Sequence, residues 1–211
     1  MKKRLHDKKA GVAILISLII ISLAEIIFRA VAMGLEAVLT TSNLGEQLAV
    51  IALAVTILVL TAKGKDRASY ICYGAWIAYF VFDQVFELLG AILDLVAPTQ
   101  APTAEIFLAA NIGHVMHIIS MCGIIAIGIF LVEYMNDGTI CNRAFNSVCV
   151  ITVLLLVCNT VSSCIAGILT GQTELLLMTF HALYRITMVF LCTFFAYDSA
   201  KHQLKKTNLT K

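Results

Sequence analysis

The feature that most constrains this chain is a series of six long apolar segments separated by short polar connections. A helix needs roughly 17–25 predominantly apolar residues to cross the hydrocarbon core of a bilayer, and each segment reaches that length. Inside lipid a spanning segment must satisfy its own backbone hydrogen bonds, so these segments are predicted to be helices. We therefore predict an all-α, polytopic membrane protein built as a bundle of six transmembrane helices.

The bundle is predicted to be a single domain over residues 1–211. The predicted spans are 11–39, 46–62, 69–97, 104–133, 145–170 and 174–200. Charged residues make up only 13% of the chain, against about 25% in soluble domains, so the lipid bilayer is the expected partner. Since six spans are few for a complete transporter, we also expect a homo-oligomer or a partner membrane subunit.

Lysine and arginine are distributed unevenly among the connections. Lys63, Lys65 and Arg67 lie between the second and third spans and Arg143 precedes the fifth, whereas the connections after spans one, three and five contain neither residue type. Cytoplasmic loops are the ones enriched in these residues. The pattern predicts a multi-pass protein of the plasma membrane with both termini in the cytoplasm. A net charge of +2 with no recognition motif argues against nucleic-acid binding.

Ionisable residues interrupt four of the spans at a similar depth. These residues are Glu25 and Arg29 in span one, Asp83 and Glu87 in span three, His114 and His117 in span four, and His181 and Arg185 in span six. Counted from the outer ends of their spans, all of them except His181 lie ~15–21 Å deep, near the middle of a ~30 Å core. Such residues are costly in lipid and usually functional. We expect them to converge, together with Asn159 of span five, on a site that binds or conducts a small solute, ion or proton.

The spacing of the charges supports two different roles. Glu25 and Arg29 are four residues apart, so they share a helix face and can form an ion pair. Asp83 and Glu87 have the same spacing but equal charge, which requires a raised pKa or a nearby cation. A protonated carboxyl, a protonated histidine, a metal ion or a cationic ligand would balance this layer. The structural alternative is that interhelical ion pairs and hydrogen bonds only fix the bundle, as in a sensory or scaffold subunit.

Two cofactor hypotheses follow from the histidines. Asp83, Glu87, His114, His117 and His181 are ligand types that bind divalent metals such as zinc, iron or manganese. Alternatively, His114 or His117 and His181 could be the axial ligands of a haem. Either cofactor would favour a membrane oxidoreductase.

A short segment of the first span resembles a protease signature. The sequence Ala-Glu-Ile-Ile-Phe-Arg-Ala at 24–30 is similar to the E-E-x-x-F-R-G signature of the CAAX-processing and bacteriocin-immunity family of intramembrane glutamic proteases, and Phe180–Leu183 resembles the last histidine motif of that family. The resemblance implies that Glu25 activates water, that Arg29 orients the site and that His181 helps to bind the oxyanion. The chain departs from the pattern at Ala24, where the family has glutamate, and at Arg185, where it has Asn or Asp. We favour the non-enzymatic reading over this one.

Overall fold

The computed structural model describes the backbone of residues 2–34, 42–96, 104–137, 142–171 and 173–209. Side chains are described within 9–34, 44–93, 115–133, 143–165 and 176–199, and at 168 and 171. All structural statements below concern these parts of the chain.

The described residues form six α-helices and no strand. The helices are α1 (Lys2–Met33), α2 (Ser42–Ala62), α3 (Asp66–Val96), α4 (Ala104–Asp137), α5 (Asn142–Thr170) and α6 (Thr173–Leu209). Each contains a stretch long and apolar enough to cross a membrane. These stretches range in length from 19 residues, as in Leu44–Ala62 of α2, to 28 residues in Asp66–Leu93 of α3. The predicted all-helical architecture with six such helices is confirmed.

Two helix ends differ from the ends of the predicted spans, because hydropathy does not record where the backbone stops being helical. α1 ends at Met33 instead of 39, because Gly34 adopts a positive φ of 88°. Glycine is the usual residue for this left-handed conformation, which ends a helix. At the other end of the chain α6 continues to Leu209 instead of 200. Its last turns are polar, so hydropathy does not detect them although the helix continues.

The helices form a closed ring of sequential neighbours with α6 toward the middle. Each helix packs on the next along the chain, and α6 also packs on α1, α3 and α4. In the most apolar window of each helix, between 17% and 39% of the residues are buried inside the bundle, and α6 has the largest share. Most residues in these stretches are therefore not fully buried in the bundle, and many large apolar side chains are exposed on its surface.

Close approaches at two glycines fix α4 against its neighbours. A Cβ on Gly128 would lie 2.6 Å from Cγ1 of Val81 in α3. A Cβ on Gly123 would collide with the side chain of Thr152 in α5. Small residues allow helices in membranes to approach closely, and dispersion contacts then stabilise the bundle. This packing fixes the side of α3 that contacts α4, whereas other faces of α3 contact α2 and α6.

Candidate ligand-binding cleft

Glu25 of α1 is a buried carboxylate with hydrogen bonds to both of its oxygens. Its side chain is 1% exposed. Oε1 accepts hydrogen bonds from Nε and Nη2 of Arg29 at 2.9 and 2.7 Å, and Oε2 accepts one from Nε2 of Gln47 in α2 at 2.9 Å. Nε2 of His181 in α6 lies 3.8 Å from Oε1. These contacts join three helices at one carboxylate, and they confirm the predicted pairing of Glu25 with Arg29.

Arg185 of α6 makes the second set of interhelical contacts. Its Nη2 forms an ion pair with Oε2 of Glu87 in α3, and its Nη1 lies 3.4 Å from Nδ1 of His117 in α4. A guanidinium group only donates hydrogen bonds, so Nδ1 must accept, which requires the histidine tautomer protonated at Nε2. His181 and Arg185 lie one turn apart on α6. His181 contacts α1, whereas Arg185 contacts both α3 and α4.

A cleft of about 770 Å³ lies between α2, α3 and α6. Its volume falls within the range of roughly 300–1,000 Å³ that is typical of small-molecule sites. No backbone packing joins α2 to α6 within the described parts of the chain, and this gap is the reason that the cleft exists. The lining residues are Gly45, Glu46, Gln47, Ala49, Val50 and Leu53 of α2, Ile71, Cys72, Ala75, Trp76, Tyr79, Asp83, Gln84 and Glu87 of α3, and His181, Tyr184 and Arg185 of α6.

Two adjacent polar side chains on the α3 wall of the cleft lack strong partners. Nε2 of Gln84 donates to Oδ2 of Asp83 at 3.5 Å, the long limit of a hydrogen bond. Gln84 is 1% exposed, and its Oε1 is buried with no hydrogen-bond partner among the described residues. In the same part of the chain, Asp83 has no ion pair. Buried polar groups are normally bonded, so this wall differs from the fully bonded Glu25.

An aromatic pair forms the floor of the cleft. Nε1 of Trp76 donates to the hydroxyl oxygen of Tyr184 at 3.3 Å, which ties α3 to α6. The ring of Tyr184 also packs edge-on against Phe80, with centroids 5.9 Å apart. Trp76 is 3% exposed, so its ring position is set by packing. The floor is thus a closely packed aromatic surface.

The structure brings most of the predicted site residues into contact, but in two sets. Glu25, Arg29 and His181 belong to the first set, and Glu87, His117 and Arg185 to the second. Asp83 lines the cleft between them. Asn159 of α5 is half-buried and is not among the residues that line the cleft. The side chain of His114 lies outside the described residues.

The structure does not support the cofactor hypotheses. No group of three or more His, Cys, Asp or Glu side chains that could hold a metal ion occurs among the described residues. Asp83, Glu87, His117 and His181 therefore do not assemble a metal site by themselves. His117 contacts Arg185 whereas His181 contacts Glu25, so the two described histidines of the haem hypothesis have different partners.

Sequence reasoning missed the amides and the aromatic floor. Gln47 and Gln84 carry no charge, and a single glutamine in an apolar helix gives little signal when ionisable residues are the criterion. The position of Gln84 beside Asp83 is a signal that could have identified it, whereas Gln47, at the start of the predicted second span, is far from the depth counted for Glu25. Trp76, the only tryptophan in the chain, and Tyr184 were missed because aromatic residues in spans are common.

Comparison with known proteins gave no matching family, no similar curated protein and no similar solved structure. The resemblance of the first span to glutamic proteases therefore has no support from a family match. The cleft and its chemistry are the remaining basis for inferring function.

Proposed function

We propose that this chain is a multi-pass membrane protein that binds a small solute in the cleft between α2, α3 and α6. The observation that supports this proposal best is the coincidence, in one cleft of about 770 Å³, of ionisable side chains and an incompletely bonded amide. Polar groups in the middle of apolar helices are costly. A ligand that bonds to them would explain why they face a cavity.

The distribution of basic residues supports a protein of the plasma membrane that has both termini in the cytoplasm. Lys63 and Lys65 lie in the connection between α2 and α3. An amine reagent that cannot cross membranes should therefore modify them in inside-out vesicles and not in intact cells. The opposite result would reverse the proposed topology.

We favour binding over open conduction because apolar side chains on the proposed cytoplasmic side of the polar residues are fully packed: Leu18 of α1, Ile57 of α2 and Leu191 of α6 have no exposed surface. Along α3 the cleft itself extends to Cys72, at about the level of Ile57. Release of a solute to the other side would require rearrangement of the helices, for which a second copy or a partner subunit remains our expectation.

Native cysteines provide the test of an accessible cleft. Cys72 lines the cleft, whereas Cys122 of α4 and Cys158 of α5 are exposed on the outside of the bundle, where lipid would cover them. In nanodiscs, small hydrophilic methanethiosulfonate reagents should modify Cys72 at least tenfold faster than the two outer cysteines, as followed by site-resolved mass spectrometry. Equal or slower modification of Cys72 would contradict the proposal.

Two matched alanines on α3 control this experiment. Ala75 lines the cleft, and Ala78 is exposed elsewhere on the same helix. Ala75→Trp should fill the cleft and slow the modification of Cys72, whereas Ala78→Trp should leave the rate unchanged. If both substitutions had the same effect, access would not run through the cleft.

A further inference from the structure

We infer that the ligand of the cleft is an organic ammonium ion, a molecule that carries a protonated or quaternary nitrogen on an apolar body. This inference rests on the proposed function and specifies its ligand class. Three independent features of the cleft support it: its net charge, the unbonded amide oxygen of Gln84, and its aromatic and aliphatic walls.

The net charge of the lining residues is negative. The lining includes three carboxylates, those of Glu46, Asp83 and Glu87, and one guanidinium, that of Arg185, which gives −2 with His181 neutral. Arg185 is already paired with Glu87. No ion pair involves Glu46 or Asp83 within the described part of the chain. A carboxylate in apolar surroundings is costly without a counter-charge, so a cation in the cleft would stabilise Asp83.

The amide of Gln84 adds a second, uncharged acceptor at the same place. Its Nε2 is directed to Asp83, which leaves the buried Oε1 as an acceptor without a donor among the described residues. A primary ammonium group has three N–H donors. It could therefore bond to the Asp83 carboxylate and also to Oε1 of Gln84, once the Gln84 side chain turns this buried oxygen toward the cleft.

The remaining walls select an organic cation over a metal ion. Trp76, Tyr79 and Tyr184 supply aromatic rings, and Val50 and Leu53 supply aliphatic surface. A cation within roughly 6 Å of an aromatic ring centroid is attracted by the ring quadrupole. Metal ions instead need several ligand atoms on one point, and no group of three metal-ligating side chains is found in the described residues.

Reagent charge tests the inference at Cys72. Modification by the cationic trimethylammonium-ethyl methanethiosulfonate is compared with modification by the anionic sulfonatoethyl reagent, each rate divided by the rate with free 2-mercaptoethanol. The normalised ratio should favour the cation at least tenfold. A ratio of one or below would overturn the ammonium inference, whereas fast modification by both reagents would leave the solute cleft itself standing.

Matched variants locate the origin of the preference. Asp83→Asn keeps the side-chain size and removes the charge, so the normalised ratio should fall severalfold. Glu133→Gln removes a carboxylate that is exposed on α4 and does not line the cleft, and the ratio should stay unchanged. An unchanged ratio in Asp83→Asn, or an equal fall in both variants, would contradict the role given to Asp83.

Protection of Cys72 by probes separates charge from hydrogen bonding. 2-Phenylethylammonium should slow the labelling of Cys72, whereas 2-phenylethanol, its uncharged analogue, should not at the same concentration. Gln84→Met should weaken protection by the primary ammonium at least threefold and affect its quaternary trimethyl derivative less, because that derivative has no N–H to donate. Equal protection by the alcohol would overturn the inference, and equal losses for the two cations would refute the role of Gln84.

The same chemistry is found in free amines and in lipid headgroups, and bilayer composition distinguishes the two sources. In nanodiscs of phosphatidylglycerol, Cys72 should be labelled freely. If added phosphatidylethanolamine protects Cys72 in proportion to its content, the ammonium ion belongs to a lipid. If labelling is independent of phosphatidylethanolamine while 2-phenylethylammonium still protects, the ligand class is a free solute. If neither protects, the ammonium inference is wrong.

Discussion

Glu25 and Asp83 are both carboxylates near α6, but the environments of their side chains differ. Glu25 is 1% exposed and accepts three hydrogen bonds from Arg29 and Gln47. Asp83 accepts one long bond from Gln84 and borders a cavity. The completeness of its hydrogen bonding thus distinguishes a carboxylate that can hold helices together from one that could accept a ligand. We expect α1 to act as the fixed side of the bundle and the face of α3 toward the cleft as its binding side.

The largest expected effect is at the fixed side. Arg29→Met should lower the free energy of unfolding by about 3–5 kcal/mol, because it leaves a buried carboxylate without its counter-charge. Denaturant titration of the purified protein in detergent measures this loss. Glu133→Gln is the control, with an expected change within about 0.5 kcal/mol. A loss no larger than that of the control would show that the Glu25–Arg29 pair does not hold the bundle.

The second largest effect on stability is expected at the close packing between α3 and α4, which fixes α3 beside the cleft. Gly128→Ala should cost about 1–3 kcal/mol, because the new methyl group overlaps Val81 of α3 and forces the helices apart. Gly90→Ala on α3 is the matched control, since a Cβ there meets nothing within 4 Å. The same titration should show no loss for this control. Equal losses at both glycines would indicate a helix-wide effect instead of close packing between α3 and α4.

Gln47 contacts the fixed side and also lines the cleft, so its substitution should have an intermediate effect on stability. It donates to Glu25 and also lines the cleft. Gln47→Leu should lower the free energy of unfolding by roughly 1–3 kcal/mol, the cost of removing one donor from a buried acceptor, and should also change the labelling rate of Cys72. A change in labelling without a loss of stability would place Gln47 on the binding side only.

The smallest effect on stability is expected at Asp83. Asp83→Asn removes no ion pair, so the free energy of unfolding should change by less than about 0.5 kcal/mol or should rise. The same variant should lose most of the cation preference at Cys72. If Asp83→Asn instead destabilised the protein as much as Arg29→Met does, the distinction between a fixed side and a binding side would fail.

The fold was largely predictable from the sequence because lipid imposes one rule on every span. Backbone groups must bond within the helix, so hydropathy alone predicted six helices. The helix ends were less predictable: α1 ends at Met33 before Gly34, and α6 continues beyond residue 200 as a polar helix, where hydropathy carries no signal.

The candidate site was less predictable, because the sequence contains neither the helix ends from which depth is counted nor the rotation of each helix about its axis. Since α1 ends at Met33, Glu25 lies nearer the helix end than the count from residue 39 predicts. The pairing of Glu25 with Arg29 followed from spacing within one helix. In contrast, the assignment of Arg185 to Glu87 and His117, and the absence of Asn159 from the cleft lining, depend on how separate helices are rotated against each other. No spacing within one helix contains that information.

The bond from Gln47 to Glu25 couples the width of the cleft to the protection of a buried charge. If α2 moves outward to admit a larger molecule, Oε2 of Glu25 loses its donor, and the energetic penalty arises at a residue that the incoming molecule does not touch. By thermodynamic reciprocity, a proton or a water molecule that takes over this oxygen would make the outward movement of α2 easier. α2 and the carboxylate of Glu25 would then behave as one coupled element.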